Sequence, residues 1–165
     1  MSESIIPELA TTFIFSKRPV PIPADLRPGW RIGIILLLLI KCCRQQRSSF
    51  ARLHVLNWGI RTRQSQEQLI QAVEGNLSLN AVLVRYEPSL NRAVDLAIGE
   101  QLVNQVSGDH LELTALGLQM ANNIDNRQDA YIQEKQFMNC IGKRLTEKLV
   151  NQSFGWRDNL ATPTT

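Results

Sequence analysis

Few residues in this chain have the types and spacing that chemistry requires. His54 and His110 are its only histidines. Neither has a second ligand at metal-binding spacing, so His54 reads as a hydrogen-bonded residue inside a helix. The three cysteines are Cys42, Cys43 and Cys140. Two are adjacent and the count is odd, which fits neither a CxxC zinc site nor a disulfide framework. They read as reduced, partly buried thiols, and this points to a cytoplasmic protein. There is no Walker A loop, no HExxH and no nucleophile next to a base. Ser48-Ser49 reads as a helix cap rather than a nucleophile. Aspartates and glutamates are scattered as on a solvated face. The expectation is a chain that is not an enzyme, with no catalytic residue, metal or cofactor.

What remains is chemistry of recognition. The formal net charge is +3, mild for a dedicated DNA binder. Lys41, Arg44, Arg47, Arg52, Arg61 and Arg63 gather around one predicted helix. They suit phosphates, an acidic protein surface or plain solvation. A second candidate is the helix Ser89–Gly99, where Asn91 and Arg92 are of the types that read a major groove. Asp95 and Glu100 on the same segment would repel phosphate. Trp30 and Trp58 read as core residues, whereas Trp156 near the C-terminus reads as an anchor for a partner.

These groups need elements to hold them. The chain has 165 residues, 44% hydrophobic and 20% charged, enough for one domain with a true core. Residues 1–28 carry five prolines at Pro7, Pro19, Pro21, Pro23 and Pro28, so they form an irregular segment with room for one short strand at Thr11–Phe15. The run Ile32–Ile40 is almost wholly apolar and is flanked by Arg31 and Lys41. It falls well short of the ~20 residues a membrane span needs, and reads as a helix from Gly29 to Arg44 buried on most sides. Further helices are expected at Ser49–Arg61, Ser65–Glu74 (closed by Gly75-Asn76) and Pro88–Gly99. The β-branched stretch Ala81–Tyr86 reads as a strand. Gln101–Val106 and His110–Thr114 form a hairpin through Ser107-Gly108-Asp109, with Leu102, Val106, Leu111 and Leu113 inward. The turn is acidic, where a wing entering a minor groove prefers Arg or Lys. A helix capped by Thr114 follows, with Leu116, Met120 and Ile124 on one stripe. A last helix runs from about Arg127 to Gln152, its apolar side marked by Ile132, Phe137, Ile141, Leu145 and Leu149. The expected fold is mainly α with a small β-hairpin, winged-helix-like. Its parts are the irregular segment 1–28, a winged-helix domain 29–126, a C-terminal helix 127–156 and a loose tail 157–165.

Tyr86–Ile124 resembles the winged-helix superfamily: a helix leads into "QLV", a turn, and a strand closing in L-T-x-x-G at Leu113, Thr114 and Gly117. The threonine starts the next helix, and the glycine allows close packing against the wing. Gly99-Glu100-Gln101 stands where many winged helices have a plainer turn. The first half, RPGWRIGIILLLLIKCC…SSFARLHVLNWGIRT, is similar to the middle component of bacterial ABC-type three-component systems, which overlap with Lamassu-type SMC-like antiphage defence. Arg52, Leu53, His54, Asn57 and Trp58 carry that likeness, and the two resemblances together cover about Arg27 to Ile124. The resemblance implies a non-catalytic adaptor that binds a coiled-coil SMC/ABC-type ATPase and links it to an effector such as a nuclease, with DNA reached through the complex, no membrane and no small-molecule substrate. The alternative is a winged-helix transcriptional regulator, motivated by the L-T-x-x-G ending and the basic charge.

Overall fold

The computed structural model describes residues 27–81 and 87–158, with side chains through residue 153. The expected strand at Thr11–Phe15, nearly all of Ala81–Tyr86, the tail from 159 and the Trp156 side chain lie outside the described residues. Ala81 itself closes a short 3-10 turn, Leu79–Ala81.

The first helix, α1 (Pro28–Cys42), starts with Pro at its first turn, where the missing N–H is no loss. Ile34 through Leu39 are each at most 1% exposed. They meet neighbours on every side because α1 packs against α2 (Phe50–Arg61), α4 (Pro88–Gly99), α5 (Ala115–Asn126) and α6 (Ile132–Ile141). Each buried Leu or Ile contributes about 2 kcal/mol, so this helix is the axis of the core. No helix among the described residues is long and apolar enough to cross a membrane.

The sheet has three short strands. β1 (Arg47–Ser49), β2 (Val103–Val106) and β3 (His110–Leu113) are antiparallel, in the order β1-β3-β2. Leu111 stands opposite Ser48 on one side and Gln105 on the other. β1 lies between α1 and α2 in the chain, and α3 (Arg63–Val73) precedes α4. The fold is thus mainly α with a small antiparallel sheet, as the sequence predicts. The strand at 47–49 is one that the sequence does not announce: it is Arg-Ser-Ser, residues with little β-propensity.

Local chemistry sets the boundaries. The Ser49 hydroxyl accepts from the Arg52 N–H at 3.1 Å and caps α2. Thr62 and Ser65 form a reciprocal capping box, which starts α3 two residues earlier than the apolar pattern suggests. Gln101 ends α4 in a left-handed conformation, φ 57. The Leu102 N–H reaches the Ala97 carbonyl and the Gln101 N–H the Ile98 carbonyl, each at 2.9 Å. This is a Schellman turn built without glycine, and it explains the unusual Gly99-Glu100-Gln101. It also delays β2 to Val103, so Val103 is buried beside Leu102, while Val106 and Leu113 are only half-buried.

The expected single helix 127–152 is two helices. The Lys135 ammonium donates to the carbonyls of Ile124, Asp125 and Arg127 and stops α5. Tyr131 takes a left-handed turn (φ 55), and its ring stacks on Trp30 at 6.0 Å. Then α6 ends at Gly142, φ 50, and α7 (Glu147–Asp158) begins after Thr146 caps the Leu149 N–H. Phe137, Ile141 and Leu145 face the core as predicted, Leu149 is half-buried, and Ile132 is exposed. Trp30 and Trp58 are half-buried and pack against the core rather than within it.

Candidate functional site

The six basic residues around α2 do not form one surface. Lys41 is held by Asp125 (2.9 Å) and Asn139 (3.1 Å). Arg61 pairs with Glu87, and Arg63 pairs with Glu67 one turn along α3. Only Arg44, Arg47 and Arg52 come together. They line an open groove of about 460 Å³ with His110, Lys143, Thr146, Glu147 and Lys148. The groove lies where the α1–β1 turn, the edge strand β1 and the start of α7 meet. Its single carboxylate is occupied: Glu147 accepts from the Ser49 N–H at 2.8 Å and the Ser49 hydroxyl at 2.6 Å, and pairs with Arg52 at 3.6 Å.

Arg52 is 4% exposed. Its Nη2 donates to the Cys42 carbonyl at 2.6 Å, and its Nε has no hydrogen-bond partner. Lys143 and Lys148 were not candidates in the sequence. They lie far along the chain from Arg44, and only the break between α6 and α7 brings them to the same groove.

The expected DNA-reading helix, α4, is less available than its sequence suggests. Asn91 Oδ1 lies 3.0 Å from His54 Nε2. His54 Nδ1 accepts from the Glu87 N–H at 3.4 Å, which leaves Nε2 as the donor to Asn91. Arg92 is exposed, as are Asp95 and Glu100 beside it, and Asp109 sits at the wing tip. His54 is therefore the hydrogen-bonded interior histidine that the sequence predicts.

Its pKa is lowered, first by burial, against the opposing pull of Asn91 and Glu87. A depressed histidine binds its proton more readily in the unfolded chain, so stability is full above the unfolded pKa of ~6.5 and falls as pH drops below it toward the folded pKa. Protonation would also place an N–H where the Glu87 N–H now donates. The thermal midpoint should fall from pH 7.5 to pH 5.5, and the fall should be smaller in His54→Gln. Equal falls in both proteins would assign the acid sensitivity elsewhere.

A second surface is apolar. Leu116 is 51% exposed and Met120 42% exposed. Of the stripe Leu116, Met120 and Ile124, the first two face outward and Ile124 is half-buried against the core, while Gly117 and Ala121 are the residues of α5 buried in it. With Ile32, Leu102, Gly29 and Glu100 they line an open groove of about 320 Å³ between α1 and α5. Leu96, also exposed, lies one turn before Glu100.

The thiols offer no reactive centre in the core. Burial is the main cause that pushes Cys42 up to about 12 and raises Cys43 as well, and a buried thiol of this kind is a poor nucleophile. Cys140 is exposed. Among the described residues no group of three or more His, Cys, Asp or Glu side chains is placed to hold a metal ion. No protein-family model matches the chain, and no curated protein or solved structure is significantly similar to it.

Proposed function

We propose that this chain is a non-catalytic adaptor subunit that docks on a helical segment of a coiled-coil SMC/ABC-type ATPase and links it to an effector such as a nuclease. The observation that carries the docking part is the exposed Leu116–Met120 pair over an apolar groove. A helix has a stripe of apolar side chains at matching spacing, and helix-in-groove recognition buries such pairs. An apolar centre with few charges is also what protein interfaces place at their middle. The identity of the partner rests on the resemblance of the first half of the chain to the middle component of three-component systems. An operator-reading regulator is the weaker reading: Asn91 is engaged by His54, and Asp95, Glu100 and Asp109 oppose phosphate along α4 and the wing.

The test is purification of the tagged full chain from its native host, with partners identified by mass spectrometry. Recovery of a coiled-coil ATPase is expected with the native sequence. Leu116→Asp combined with Met120→Asp should reduce that recovery at least tenfold, since charges in a desolvated apolar contact cost several kcal/mol. Both positions are exposed, so the variant should keep its thermal midpoint. If the native chain recovers no such ATPase, or the variant recovers as much, the adaptor reading fails.

A further inference from the structure

The geometry points to a second, separate binding site: the basic groove between the α1–β1 turn and α7 holds consecutive phosphodiester groups of a duplex nucleic-acid backbone, without reading sequence. Arg44, Arg47, Arg52, Lys143 and Lys148 line it against the single carboxylate of Glu147. Arg52 and the Ser49 N–H and hydroxyl already satisfy that carboxylate. The groove therefore keeps a positive field, and phosphate contacts of this kind dominate non-specific nucleic-acid affinity. Arg44, Lys143 and Lys148 are exposed and have no carboxylate partner among the described residues. The Arg47 side chain donates to the Ser107 hydroxyl at 3.3 Å.

Two further observations mark the groove as built for a ligand. Arg52, which lines the groove, is a deeply buried guanidinium held by Glu147 and the Cys42 carbonyl but with its Nε unpartnered, and a buried donor left unmade is destabilising. Gln45, which lines the groove, and Gln46 beside it in the chain are consecutive residues of positive φ, 54 and 52. Each costs roughly 1–2 kcal/mol, and such strain concentrates at ligand clamps.

The ligand class follows from what the groove lacks. No Leu, Ile, Val, Phe, Met or Trp side chain lines it. An acidic protein partner would still need an apolar centre to dock firmly, whereas a phosphodiester backbone needs only charge and donors. The site is independent of the Leu116–Met120 groove, so a ternary arrangement of adaptor, ATPase and nucleic acid is open to it.

The test is fluorescence anisotropy of the full chain with a labelled random-sequence DNA duplex. With about four phosphate contacts, affinity should fall roughly 100-fold between ~50 mM and ~200 mM salt. Arg44→Glu combined with Lys148→Glu should weaken binding at least tenfold and flatten the salt slope by about 2 units. Arg63→Glu, on α3 outside the groove, should leave it nearly unchanged. The milder Arg44→Gln, Lys148→Gln pair, with circular dichroism of each protein, separates lost charge from lost fold. Absence of saturable binding at ~50 mM salt would overturn the site, as would a groove variant that binds like the native chain. Polyglutamate displacing the duplex at equal charge concentration would also overturn it, in favour of an acidic protein ligand. ATPase recovery by the groove variant should be normal, which keeps this outcome distinct from failure of the adaptor reading.

Discussion

Gly117→Ala is expected to lower the stability of this protein by about 3 kcal/mol, at the upper end of the range for overpacking, and its thermal midpoint by roughly 6–12 °C. Gly117 is the third residue of α5, and Thr114 caps its N–H at 2.9 Å. A Cβ built there would overlap the Leu102 carbonyl, which is backbone and is itself fixed. That carbonyl accepts from the Thr114 N–H at 3.1 Å, and its residue closes the Schellman turn of α4. The clash would therefore have to move the end of α4, the start of β2 or the start of α5. Helix propensity pushes the other way, since Ala is favoured over Gly by ~1 kcal/mol in a helix. The two effects have opposite signs, so a calorimetric scan decides between them. Gly99→Ala is the control: Gly99 is also helical, and a Cβ there meets nothing within 4 Å. The control should be neutral or stabilising. An unchanged midpoint for Gly117→Ala would mean that α5 is not held against the wing by this contact.

The same contact shows which parts of the molecule were legible in the sequence. Thr114 and Gly117 were readable because a short motif carries the cap and the close approach together. The α1 core was readable because a nearly unbroken apolar run of that length has few other places to go. The missed parts have a common physical origin: they depend on contacts between residues far apart in the chain. Arg47–Ser49 becomes a strand only because β3 is there to pair with it. Leu116 and Met120 share a helical stripe with Ile124, but Gly117 and Ala121 take the core face, and at Gly117 a side chain would overlap the Leu102 carbonyl. The break at Gly142 did leave a local trace, since Gly142-Lys143-Arg144 combines a glycine with basic residues at a helix end. The apolar spacing across it concealed that trace.

The candidate site was half legible for the same reason. Proximity in sequence grouped Lys41 and Arg61–Arg63 with Arg44–Arg52, yet carboxylates from α3, α5 and the start of α4 take the first set away. Lys143 and Lys148 replace them from the junction of α6 and α7, two helices that the apolar spacing runs together as one. Charge type was visible in the sequence; charge availability was not, because it depends on which acid folds beside which base.

That dependence is sharpest at Glu87, whose replacement by alanine should cost about 3–5 kcal/mol. Its Oε2 accepts from Arg31 at 2.9 Å and from Asn57 at 3.2 Å, while Oε1 pairs with Arg61. Arg31 is 6% exposed and already has an unpartnered Nε. Removing Glu87 would leave that guanidinium buried with neither a counter-charge nor an acceptor, which is far worse than losing an exposed pair. Arg61 contributes less, because its side chain is 48% exposed and water screens it. Glu67→Ala provides the comparison. It breaks the Arg63–Glu67 pair, whose side chains are 92% and 61% exposed, and should change stability by less than about 0.5 kcal/mol. The two variants remove the same chemical group, so denaturant unfolding compares burial directly. A double-mutant cycle identifies the cause: Arg31→Met should restore much of the stability lost in Glu87→Ala, because the stranded charge is then gone. If Glu87→Ala proves no more harmful than Glu67→Ala, or if Arg31→Met adds to the damage instead of relieving it, the buried pair is not what joins α1 to the start of α4.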